Sequence, residues 1–247
     1  MIYSNYKARK GCLMKKYLER MYADGKNWYF SFLSQRLISA KKTFIVTANP
    51  EILAASKKDK AVSDLLDDPE TSIVPDGISV VFVCNKKGYS VKERIPGIDI
   101  CSFLLEEANR QKKTVFLLGA KPDVSKRLAE TVSSKYPDLT LLGAVNGYVD
   151  SMDAVFDEIV SLSPDICMVA LGVPAQEKLI YKHLHRFDKG IFVGVGGSFD
   201  VISGAKKRAP DFFIKHNIEW LYRIIKEPRR LKRFFTSNIR FIMEIYL

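Results

Sequence analysis

Asp76 stands in the tetrapeptide Val74-Pro75-Asp76-Gly77, directly after a short apolar run. A carboxylate at the end of a strand is well placed to take a proton from a bound hydroxyl. The same residues are also good turn chemistry, because proline presets φ and glycine accepts positive φ. Thr47 and Asn49 follow the run Thr43–Val46 and carry groups that hydrogen-bond a sugar or a phosphate. Asn49 before Pro50 equally favours turn initiation. Gln176 and Glu177 open a helical pattern after Leu171-Gly172-Val173-Pro174. A helix start favours an anion, and a glutamine there could read sugar hydroxyls, while a first-turn glutamate is common for dipole reasons alone. Gly194, Gly196 and Gly197 allow close approach of backbone to a ligand. They do not complete GxGxxG, because Phe199 occupies the last glycine position, which weakens a dinucleotide reading.

Some chemistry is disfavoured by what is missing from the sequence. No two aspartates are two residues apart, so no D-x-D pair is available to hold a divalent metal on a diphosphate. A diphosphate leaving group would then need arginine or lysine to neutralise it. The arginine-rich tail is one source and Arg94 another. His183 and His185 are spaced so that they do not share a helix face, and no metal site is expected. Cys12, Cys84, Cys101 and Cys167 form no CxxC pair, which reads as reduced thiols in a cytosolic protein.

These residues need a scaffold, and the 247-residue chain, 47% hydrophobic, can build a sizeable core. Short, continuously apolar runs alternate with helical patterns from Lys42 onward: TFIV, SIV, TVFLLG, DICMVALG and GIFVGVGG are the expected strands. Continuous rather than alternating apolar strands argue a mostly parallel, Rossmann-like α/β sheet with helices on both faces. Residues 51–66 and 101–113 are helix-like, and a third helix follows LGAKPD, with Asp123 as its expected cap. Right-handed crossovers place ligands beyond the carboxyl ends of parallel strands, and all the candidate motifs fall at such ends.

The net charge of +11 is unevenly spread. Residues 1–42 carry ten Lys/Arg against two acids, and residues 206–247 carry eleven against four. Residues 43–205 carry eighteen against twenty-two. Three segments follow: a basic N-terminal segment (1–42), an α/β catalytic domain (43–205) and a basic C-terminal appendage (206–247). An acidic centre disfavours a nucleic-acid module. Two basic ends suit an anionic membrane surface. In the appendage, Leu221, Ile224, Ile225, Leu231, Phe234 and Phe235 could line an amphipathic face interrupted at Pro228, lying at an interface or packing on the core. No apolar run is long enough to cross a bilayer, and the start lacks a secretory h-region, so a cytoplasmic location is expected.

Seven motifs in order, NPEIL, VPDGISVV, ERIPGIDI, VFLLGAKP, LGVPAQEKLI, GVGGSFDVISGAKKRAP and IEWLYRIIKEPRRLKR, resemble the WecG/TagA/CpsF glycosyltransferases from about Thr43 to Arg233. The resemblance implies inverting, metal-independent sugar transfer without a cofactor, at the inner face of the cell membrane. The donor would be a UDP-sugar, with N-acetylmannosamine the leading choice, and the acceptor N-acetylglucosamine on undecaprenyl diphosphate, in teichoic acid or surface-polysaccharide synthesis. Other members use other sugars. It also implies Asp76 as the base, Thr47, Asn49, Arg94 and Gln176 about the donor pocket with Gly196 and Gly197, and Arg223, Arg230 and Arg233 on the diphosphate. Residues 1–42 and those after Phe235 carry no recognised part of the pattern, and PDGIS stands where PDGIG is common. A Rossmann-type oxidoreductase is the remote alternative. A homo-oligomer is compatible with a sequence that does not fix the oligomeric state.

Overall fold

A computed structural model describes residues 14–246. Six strands form one sheet in the order β2-β1-β6-β5-β3-β4, with every neighbouring pair parallel. They are β1 (Thr43–Ala48), β2 (Thr71–Pro75), β3 (Thr114–Gly119), β4 (Thr140–Val145), β5 (Ile166–Ala170) and β6 (Ile191–Gly194). Successive residues of a strand point to opposite faces, and the core divides accordingly. Phe44, Val46, Phe116, Leu118, Cys167 and Val169 lie on one side of the sheet. Ile45, Val115, Leu117, Ile166 and Met168 lie on the other. Both faces are covered, which is why the strands read as unbroken apolar runs.

The second face is covered by α1 (Lys26–Ile38), through Tyr29, Leu33 and Leu37, and by α5 (Gly97–Arg110) and α6 (Pro122–Lys135). The first carries α2 (Pro50–Ala55), α3 (Lys60–Asp67), α4 (Ile78–Lys86), α7 (Met152–Leu162) and α8 (Ala175–Leu184). Residues 14–42, set apart above by their charge, also contribute Met14, Tyr17, Leu18 and Met21 to this core. Arg20 ties them down by donating to the backbone carbonyls of Leu66, Asp68 and Thr71. Residues 1–13, Cys12 among them, lie outside the described residues. The other three cysteines are buried free thiols.

Three local expectations change. The helical stretch 51–66 is two helices, broken before Asp59, whose side chain caps α3 by accepting from the Ala61 N–H at 3.0 Å. Asp123 is not the cap of α6: Lys121 holds that position, and Asp123 sits in the first turn. A sixth strand, β4, joins the five expected ones at the sheet edge. At the sheet edge its residues are half-buried, apart from the exposed Thr140, although four of the six are apolar. Gly143 interrupts it where a Cβ would stand 2.6 Å from the Phe116 ring, and the β3–β4 register shifts there.

The tail continues through the short helices α9 (Ser198–Ile202) and α10 (Asp211–Lys215) to α11 (Glu219–Lys226) and α12 (Arg230–Tyr246). The break between α11 and α12 falls at residues 227–229, around Pro228. Phe241 of α12 is fully buried in the first core layer, and Ser79 of α4 donates to Asn238 Oδ1 at 2.7 Å. The outer side of α12 leaves Phe235, Ile239 and Met243 about half exposed. Among the described residues, no helix is long and apolar enough to cross a membrane.

Candidate active site

The strand order brings the motifs together. β2, β1, β6 and β5 are consecutive in the sheet, so VPDG, TANP, GVGG and LGVP leave its carboxyl edge side by side. Asp76 is the first residue past β2, and its N–H donates to the Ala48 carbonyl at 2.9 Å. Gly77 then turns with φ +140°, a conformation closed to residues with a Cβ, and α4 begins. The Ile95 N–H donates to the Pro75 carbonyl, lashing the ERIPG segment beside β2 and carrying Arg94 to the site.

The Asp76 side chain is half-buried at this edge of the sheet and hemmed in by protein. Loss of water pushes it up to about 6; Arg223 and Arg94 oppose that shift, and Glu219 and Asp99 add to it. A base is most useful when its pKa lies near the working pH.

The neighbouring polar groups are largely engaged in building the edge itself. Thr47 is buried, with its hydroxyl 3.5 Å from the Gly194 carbonyl. Asn49 caps α2, its Oδ1 accepting from the N–H groups of Glu51 and Ile52. Gln176 is 1% exposed. Its Oε1 accepts from the N–H groups of Gly172 and Gly196, each at 3.1 Å, and its Nε2 donates to Glu177 at 2.7 Å. It therefore clamps the loops after β5 and β6 to each other. Gly194 makes room for this clamp, since a Cβ there would lie 2.5 Å from Gln176 Nε2. Gly196 takes φ +50°. Glu177 is fully buried, with one oxygen unpartnered, and burial pushes its carboxyl up to about 7.

A charged network that the sequence reading did not single out closes one side. Arg94 donates to Asn217 Oδ1 at 2.9 Å and forms an ion pair with Glu219. Arg208 pairs with Asp99, which also receives Lys26 Nζ at 3.3 Å. Glu219 and Asp99 had a faint signal in the sequence: Glu219 is one of four acids in the basic tail, and Asp99 opens the helix after ERIPG. Arg223 is exposed and acts on Asp76 through its charge. The side chains of Arg230 and Arg233 lie outside the described residues. Among those described, no group of three or more His, Cys, Asp or Glu could hold a metal ion.

The model of the Glycosyl transferase WecG/TagA/CpsF family matches residues 26–247. The chain belongs to that family. The WecG/TagA/CpsF match thus begins before Thr43 and continues past Phe235, covering α1 and the part of α12 beyond Arg233, which the motifs alone had left out. An N-acetylglucosaminyldiphosphoundecaprenol N-acetyl-beta-D-mannosaminyltransferase of Bacillus subtilis (strain 168) is 41% identical over 209 residues, 84% of this chain and 81% of its own. Proteins of the same name from Bacillus spizizenii and Staphylococcus aureus (strain MRSA252) are 41% and 37% identical over 196 residues, each match covering 79% of this chain and 76% of theirs. Like other members of the WecG/TagA/CpsF family, this protein is a glycosyltransferase.

Proposed function

We propose that this enzyme transfers N-acetylmannosamine from a UDP donor to N-acetylglucosamine carried on undecaprenyl diphosphate, with Asp76 as general base. The relatives' shared name supports the sugar and the acceptor. The observation that carries the base is the placement of Asp76: a desolvated carboxylate at the carboxyl edge of a parallel sheet, raised to about 6 and flanked by the charges of Arg94 and Arg223.

In the proposed reaction the Asp76 carboxylate removes the proton from the acceptor hydroxyl. The oxygen attacks the anomeric carbon from the face opposite the leaving group, and the bond to the diphosphate breaks, its electron pair leaving with UDP. Configuration inverts. Arg94, Arg223 and the tail arginines Arg230 and Arg233 stabilise the charge that develops on the diphosphate, where preorganised cations count most. Thr47, Asn49, Gly196 and Gly197 border the donor. Gln176 acts on the same pocket through the loops that it clamps.

The appendage has a second task in this proposal. Phe235, Ile239 and Met243 of α12 are exposed, as are Ile78 and Phe82 of α4, the helix that α12 contacts, and Lys86, Arg229 and Lys232 are exposed basic residues of these helices and of the turn before α12. That composition suits the surface of an anionic bilayer, where the lipid-linked acceptor resides.

Asp76→Ala, assayed with UDP-N-acetylmannosamine and a polyprenyl-diphosphate-linked acceptor, is expected to lose at least a hundredfold in kcat while still binding donor. Near-normal turnover would reject the base assignment. Activity is expected to survive EDTA. Loss on chelation with recovery on adding a divalent cation would overturn the metal-free scheme. A panel of UDP-sugars tests the donor: preference for glucose or a uronic acid would move the enzyme to another polysaccharide pathway.

A further inference from the structure

Glu219 has no task in the reaction above, yet it is 3% exposed in a tail segment that is mainly basic and largely open to solvent. A buried carboxylate is costly unless it is paired. Its Oε2 accepts from Arg94, whose Nε holds Asn217 Oδ1 at 2.9 Å. Asn217 occupies a left-handed corner, φ +59°, closed by its own N–H to Ile214 and by the Ile218 N–H to Phe213. One guanidinium from the sheet domain therefore grips the corner where α10 turns into α11. From the other side, Arg208 pairs with Asp99 and brings its Nε to 3.8 Å from Glu219 Oε1. Both of these atoms are buried without a hydrogen-bond partner. Arg223 lies one helical turn beyond Glu219, on the same face of α11.

We propose that Glu219 is a positioning residue: it orients Arg94 at the site and seats α11 so that Arg223 is presented to Asp76. The inference rests on the reading of Asp76 and Arg94 as parts of the transfer site. It joins the tail to the chemistry through one buried carboxylate flanked by two arginines. Removing that charge disturbs two cations at once, because Arg94 loses its partner and the anchor that directs Arg223 weakens.

The test uses the full-length chain with Glu219→Gln, which keeps the shape and an acceptor for Arg94, and Glu219→Ala, which keeps neither. Kinetics with UDP-N-acetylmannosamine and hydrogen exchange over residues 206–226 are read on each. Glu219→Gln is expected to lower kcat about tenfold to a hundredfold, the scale of a small misplacement of catalytic groups. The acid limb of its pH profile should move to lower pH, since a negative charge near Asp76 is gone. Glu219→Ala should lose more and exchange faster across 206–226. Unchanged kcat, KM and pH profile in both variants would overturn the proposal. Faster exchange with unchanged kinetics would also overturn it, by reducing Glu219 to a structural role. If the wild type transfers no sugar from any donor, the reaction assignment fails on its own. The exchange data would still report on the seating of α11, and equal exchange in all three proteins would reject it.

Discussion

Arg94 and Glu219 meet as an ion pair across the join between the sheet domain and the C-terminal helices, with their side chains 13% and 3% exposed. The partners are 125 residues apart in sequence. Their contact makes the tail a wall of the site, and the charges of both partners reach Asp76.

The first prediction concerns the pH dependence of catalysis. With its carboxyl at about 6, Asp76 is mostly ionised at neutral pH and becomes protonated below. kcat/KM is therefore expected to fall as pH drops through about 6, because that profile reports the free enzyme's base. Arg223→Gln removes a charge that favours the carboxylate, so its limb should move to higher pH, opposite to Glu219→Gln. A limb unmoved in Arg223→Gln would disconnect the tail from Asp76.

The same shift has a cost for stability. Asp76 is raised above its ordinary 3.8, so folding favours the protonated form and loses stability as pH climbs from about 4 to about 6. Asp76→Asn should be more stable than the wild type above that window, by on the order of 1–3 kcal/mol. The gain should disappear below about pH 4. Denaturant melts at pH 4 and pH 8 measure it, and equal stability at both would refute the buried-carboxylate account.

Gln176 offers a third check. Gln176→Ala would strip the acceptor from the N–H groups of Gly172 and Gly196. An unsatisfied buried donor costs about 1–3 kcal/mol, so a loss of that order or above is expected, with weaker donor binding as the loops part. Gly194→Ala should imitate it, because its Cβ would press on the same amide, at about 1–3 kcal/mol for overpacking. Donor affinity by calorimetry and chemical denaturation read both effects. Wild-type affinity in both variants would remove the clamp from the binding argument.

The two sides of α12 should separate in mutation. Phe241→Ala empties a fully buried site and should cost about 3–5 kcal/mol. Phe235→Ser, Ile239→Ser and Met243→Ser together touch only exposed positions. That triple variant should fold normally and sediment less with vesicles containing anionic lipid. Equal sedimentation would shift the membrane contact elsewhere on the chain.

Local patterns in the sequence settled a good deal. Unbroken apolar runs such as Ile166–Ala170 require cover on both faces, and hence a parallel sheet with helices either side. Asp76 could be found because proline before it and glycine after it mark a strand end, and the order of the motifs pointed to the family. β4 is not among the strands expected from the sequence, because Gly143 splits its apolar residues into two short pairs, Leu141-Leu142 and Ala144-Val145.

Only the tertiary structure decided which strand ends are neighbours. β2, β1, β6 and β5 lie side by side although β3 and β4 intervene in the chain, and that order alone brings Asp76, Asn49, Gly196 and Gly172 to one edge. It also decided what the polar side chains do: Asn49 caps a helix, Gln176 fastens two loops, and Glu219 is enclosed by arginines. Periodicity and turn chemistry are set by residues a few positions apart and can be read directly. The partner of a buried polar group is set by whichever distant segment folds against it, and no local pattern encodes that choice.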